Sequence, residues 1–182
     1  MLADDIRERE TMKNTEDLCQ SVHFCRIKPC ELDEAIALIR ARVDWMDAVG
    51  IRQWNVTDYM GVYPRTYFEE IEQGGELFAL FGEDGRMLAI GALKEADARW
   101  SAAEGAAFYL HHFASATDAP GAGSTYLALA EQYAKSVGKQ YFRLDSAIDN
   151  AKLEAYYTAR GYLPVGRCVD GAYVGILREK RL

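Results

Sequence analysis

Apolar positions along the chain change their period several times, and each change marks an element. Residues 1–22 are charge-rich with few apolar positions and read as a polar N-terminal extension. Phe24–Ile27 is then a short strand candidate. Over Glu31–Val49, Ala35, Leu38, Ile39, Arg42 and Met46 return at helical spacing, and Gly50 sits where a C-cap belongs. Pro64 opens a second helix, about Arg65 to Glu72, closed by Gly74-Gly75. Leu77–Phe81 and Met87–Lys94 flank Gly82-Glu83-Asp84-Gly85 and predict a hairpin. A strand over Phe108–Ala114 follows. Next come a helix over Thr125–Val137, a strand over Tyr141–Ala147 and a helix over Asn150–Arg160. Leu163–Cys168 and Ala172–Leu177 form a last hairpin around Asp170-Gly171.

The order β-α-α-β-β-β-α-β-α-β-β sets a run of antiparallel strands before two βα crossovers. It predicts an α/β (α+β) protein with a mixed, mostly antiparallel sheet and helices on both faces. No Pro/Ser-rich linker divides residues 23–182, so they read as a single domain.

The 182 residues carry a net charge of −7, which argues against a nucleic-acid partner and mildly favours cationic substrates. No apolar run approaches the ~20 residues of a membrane helix. The first ten residues are too polar for a secretory signal. Cys19, Cys25, Cys30 and Cys168 form no C-x-x-C pair and have no histidine at zinc spacing, so no metal site is expected. Together these features predict a cytoplasmic protein with reduced thiols.

The chemistry concentrates between Tyr109 and Tyr162. The turn Pro120-Gly121-Ala122-Gly123-Ser124-Thr125 links a strand to a helix, a place where free backbone N–H groups and the helix dipole favour an anion. There is no P-loop Lys-Ser/Thr and no complete Gly-x-Gly-x-x-Gly, which argues against a nucleotide-binding module. The second landmark is Asn150, Tyr157, Gly161 and Tyr162.

This combination resembles the GNAT superfamily of acyl-coenzyme A N-acyltransferases over residues 24–178. The family's turn pattern, Gln/Arg-x-x-Gly-x-Gly/Ala, matches at Gly123 and departs at Pro120 and Thr125. The closing pattern, Asn followed by Tyr and then Gly-aromatic, is met in full. The resemblance implies that the parallel strands Phe108–Ala114 and Tyr141–Ala147 splay apart around the acyl-pantetheine arm. It implies cofactor contacts from Phe113, Ala114 and Ser115 by β-augmentation. Further contacts come from the N–H groups of Gly121, Ala122, Gly123, Ser124 and Thr125, and from Asn150 and Tyr156.

Tyr157 takes the place of the acid that protonates the departing sulfur; by spacing alone it also reads as a core tyrosine. Asn150 reads equally as an N-cap. His111 matches a position often histidine in a bacterial subgroup and reads either as a base or as a structural histidine. His111 and His112, adjacent in a strand, are expected on opposite faces. Asp145 reads either as an acceptor-binding group or as a partner of Arg143. Trp54 and Tyr59, with Tyr63, wall an acceptor pocket or pack the two helices.

The resemblance thus implies direct transfer of an acetyl group from acetyl-coenzyme A to a small-molecule or peptide amine. No cysteine lies in the Tyr109–Tyr162 region to act as a nucleophile. The alternative, motivated by Pro120 and Thr125, is a non-catalytic acyl-coenzyme A or metabolite sensor on the same fold. A homodimer through the C-terminal hairpin is the assembly suggested by some relatives.

Overall fold

A computed structural model describes residues 22–182; the expected polar extension lies, except for Val22, outside the described residues. The strands are β1 (His23–Arg26), β2 (Leu77–Phe81), β3 (Met87–Lys94), β4 (Ala107–Ser115), β5 (Tyr141–Ala147), β6 (Leu163–Asp170) and β7 (Tyr173–Arg181). They form one sheet in the order β1-β2-β3-β4-β5-β7-β6. The β4–β5 pair is parallel and every other neighbouring pair is antiparallel.

Strand alternation sends successive side chains to opposite faces, and each face has its own core. Ala79, Phe81, Ile90 and Ala92 pack under α1 (Leu32–Ala48), α2 (Tyr59–Val62) and α3 (Arg65–Gln73). Phe78, Leu80, Leu110, Phe142 and Leu144 pack under α4 (Ala122–Ser136) and α5 (Ala151–Thr158). Among the described residues no helix is long and apolar enough to cross a membrane.

The feature that positions the site is the parting of β4 and β5. Their pairing covers only Ala107–Tyr141, Phe108–Phe142 and Tyr109–Arg143. Beyond that point β5 stays paired with β7 as far as Ala147–Gly175, and β4 stays paired with β3 as far as Ser115–Ala89. The two strands therefore open a gap with an unpaired edge on each side. Arg143 pins the point of divergence: fully buried, it donates to the Tyr109 hydroxyl at 2.8 Å, to Glu179 at 2.7 Å and to the Glu104 carbonyl at 2.6 Å.

Three sequence expectations are corrected. The helix expected from Thr125 begins at Ala122, because Gly121 absorbs the turn with a φ of +89° that a side chain would resist. A short helix, α2, occupies the expected aromatic loop, capped by Asp58 accepting from the Gly61 N–H. The last hairpin is longer than expected, reaching Asp170 and Arg181.

Candidate active site

Two cavities flank the gap. The larger is a groove of 530 Å³ running from α1 past the end of β4 to the starts of α4 and α5. It contains Arg42 and Lys152 and no carboxylate, in a chain whose net charge is −7. The smaller is a cavity of 150 Å³ bearing Asp145, Asp170 and Arg99, with aromatic walls from Trp54, Tyr59, Tyr63 and Tyr173. Gln53, Trp54, Phe113 and Tyr157 line both, so the two spaces meet there.

At the groove, the first turn of α4 sorts the expected cofactor residues. Gly121, Gly123 and Ser124 line it, whereas Ala122 and Thr125 are buried in the core. The cause is helical spacing: Ala122, Thr125 and Tyr126 fall at i, i+3 and i+4 on the inward face. The Thr125 N–H is also consumed by the Gly121 carbonyl at 3.0 Å, and the Ala122 N–H by the Ala119 carbonyl at 3.2 Å. The N–H groups of Gly123 and Ser124 have no such backbone partner among the described residues and face an anion-favouring helix end. A Cβ at position 123 would lie 3.3 Å from the Ser115 hydroxyl, so glycine keeps the turn against the end of β4.

The backbone of β4 is divided in the same way. The Ala116 N–H bonds the Leu88 carbonyl at 2.8 Å, and the alternation of an antiparallel ladder then commits Ala114 to β3. Ser115 is left facing the gap, and Phe113, just past the bulge, lines both cavities. On α5, Asn150 caps the helix by accepting from the Leu153 N–H at 3.0 Å, and it also borders the groove. Tyr156 lies under the Arg160 guanidinium at 3.6 Å, and its hydroxyl is 3.2 Å from that of Ser124.

At the cavity, β4 carries a bulge opposite Gly91, with His112 at a φ of +53°. The bulge breaks the strand alternation, so His111 and His112 do not point to opposite faces. Their rings lie 6.0 Å apart and line the same cavity. His112 is locked: its Nδ1 is 2.5 Å from the Tyr59 hydroxyl and its Nε2 is 2.8 Å from that of Tyr67. Burial, with the positive charges nearby, pushes its pKa down to about 3, so the ring is neutral.

His111 sits differently. Its Nε2 is 3.1 Å from Asp97 Oδ2. Burial alone would raise the Asp97 pKa, but hydrogen bonds from His111 and Arg99 hold that carboxyl well below its usual range. A proton on Nε2 is the one that carboxylate can accept, and Nδ1 is then the ring nitrogen turned away from it. Arg99 Nη2 lies 3.2 Å from Nδ1 and 3.4 Å from Nε2. An N–H directed along the Nδ1 lone pair would stand much farther from Nε2, so that lone pair is not consumed.

Asp145 is held by Arg99 at 2.8 Å and by the Tyr173 hydroxyl at 2.7 Å. The expected partner Arg143 is taken by Glu179. Asp97, Arg99 and Tyr173 were not legible as site residues, since only the fold brings them to β4 and β5. Trp54 and Tyr59 stack at 4.8 Å, pack among the helices and line the cavity. Tyr157 is buried at the junction against Tyr162, and burial raises its pKa well above the usual phenol range.

No family model matches the sequence, and no curated protein matches it. Among solved structures, it is similar to a GNAT-family acetyltransferase from Listeria monocytogenes 4b F2365, with a TM-score of 0.74 and 19% identity over 88% of this chain and 95% of that one. A GNAT-family acetyltransferase from Streptococcus agalactiae 2603 gives 0.72 and 19% over 88% and 95%. A PaiA N-acetyltransferase from Thermoplasma acidophilum, in complex with coenzyme A, gives 0.65 and 18% over 89% and 99%. The chain therefore has the GNAT fold.

Proposed function

We propose that the protein is an N-acetyltransferase that moves an acetyl group from acetyl-coenzyme A directly to a primary amine. One observation carries the reading. A groove without carboxylates meets a carboxylate-bearing aromatic cavity at a shared wall of Gln53, Trp54, Phe113 and Tyr157. An anionic thioester suits the first space and a cationic amine the second, so their reacting ends would face each other at that wall. The coenzyme A complex of the Thermoplasma protein, on the same fold, supports it.

Acetyl-coenzyme A would supply the activated acyl carbon and the thiolate leaving group. In this reading the Phe113 N–H polarises the acyl carbonyl. The Nδ1 of His111, with Asp97 behind Nε2, takes a proton from the bound ammonium so that the neutral amine attacks, and the nitrogen's second proton replaces the one that Tyr157 gives to the sulfur. Asp170, with Asp145 already paired to Arg99, attracts the amine, and Trp54 and Tyr63 bound its size. Tyr157, whose raised pKa keeps it protonated at neutral pH, gives a proton to the departing sulfur.

Calorimetric titration with acetyl-coenzyme A, with ATP and NAD as controls, tests the groove, and thiol release across a panel of small amines tests the cavity. Selective binding with amine-dependent release is expected. Selective binding without release from any amine would make the protein a sensor, and no binding would end the reading.

A further inference from the structure

The family-like turn places Pro120 where a basic or amide side chain is expected, and Pro120 offers neither an N–H nor a side-chain donor. The groove nevertheless contains a guanidinium from another element. Arg42 interrupts the apolar stripe of α1, so helical spacing turns it inward with Ile39 and Met46 rather than toward solvent. There it stacks on Trp45 at 4.8 Å and borders the groove. Its Nη2 donates to the Ser115 carbonyl and, at 3.0 Å, to the Ser115 hydroxyl. That hydroxyl is the atom a side chain at position 123 would press on, so Arg42 stands one residue from the open N–H groups of Gly123 and Ser124. No carboxylate pairs with Arg42 among the described residues, and burial lowers its pKa by disfavouring an uncompensated charge. Its Nε and Nη1 have no hydrogen-bond partner among the described residues.

Resting on the proposed use of acetyl-coenzyme A, we infer that Arg42 supplies a cation of the diphosphate site in place of the turn, beside Lys152 on the groove wall and Arg160, which donates to the Ser124 hydroxyl at 2.7 Å. The helix end offers two N–H groups and Arg42 a planar set of donors. This pairing suits a diphosphate better than either part alone. The ligand class is a nucleoside diphosphate carrying the thioester arm, held between α1 and α4.

The test titrates wild type, Arg42→Ala and Arg42→Lys calorimetrically with two thioesters, with thermal unfolding as a check on the fold. Acetyl-coenzyme A has the diphosphate; S-acetylpantetheine has the same arm and acyl group without it. Arg42→Ala should weaken acetyl-coenzyme A by roughly 10- to 100-fold, as for a lost charge-assisted hydrogen bond. The loss should shrink as salt is added, Arg42→Lys should recover part of it, and S-acetylpantetheine should bind unchanged. Equal weakening of both thioesters would make Arg42 only a brace for Ser115 and overturn the inference. Undiminished binding of acetyl-coenzyme A by Arg42→Ala would overturn it while leaving the proposed activity standing. No binding by wild type would overturn both.

Discussion

Nε2 of His111 lies 3.1 Å from Oδ2 of Asp97, a contact that favours a proton on Nε2. A histidine so oriented presents Nδ1 as a base, with a carboxylate to stabilise the imidazolium that forms. His111→Gln should therefore lower kcat by about 10²- to 10⁴-fold with acetyl-coenzyme A affinity intact. Asp97→Asn should lower it less, because the amide oxygen still accepts from Nε2. Steady-state rates beside calorimetric affinities check both. A His111→Gln enzyme with wild-type kcat would leave His111 a structural residue.

Arg143 and Tyr109 form the last β4–β5 pair, joined also by their side chains. Arg143→Met would strand Glu179 and the Glu104 carbonyl beside a buried apolar side chain. The expected loss is about 2–4 kcal/mol, somewhat below that of a wholly buried pair because Glu179 is 25% exposed. Urea unfolding measures it; a loss within error of zero would show that the strands part without this pin.

His112 predicts an acid-sensitive fold. Its unfolded ring takes a proton below about pH 6.5, whereas the buried ring does so only near pH 3. Protons thus favour the unfolded chain between these values, and stability falls as pH falls through the window, by up to about 1.4 kcal/mol per unit. His112→Asn, which tolerates the positive φ, should be less stable at pH 7 but lose most of this slope. Urea midpoints from pH 7 to pH 4 test it; an unchanged slope would assign the acid response to other groups.

Much of the fold was legible because periodicity is local. Two short apolar runs flanking Gly82–Gly85 marked β2 and β3, and the apolar stripe with Gly50 marked α1. The missing parts depend on registers between strands. The bulge at His112 exists because β4 spends one more residue than β3 opposite Gly91, a count visible only once the two strands pair. The partner of Asp145 was misread for a similar reason. Arg143 shares its face of β5, but β7 offers Glu179 directly across from Arg143. Asp145 is left to Arg99, which arrives from the loop before β4. Arg42 did leave a signal, a cation on a buried stripe, whose meaning required the neighbouring helix end.

The most direct test compares free-thiol release from acetyl-coenzyme A by wild type and Tyr157→Phe, with and without a small primary amine. Tyr157 borders both cavities, so its hydroxyl is the group that the account commits to the reaction itself. Amine-dependent release by wild type is expected, with kcat lowered by at least about 10²-fold in Tyr157→Phe at unchanged acetyl-coenzyme A affinity. Equal rates for the two proteins, with both folded and binding the thioester, would contradict the account.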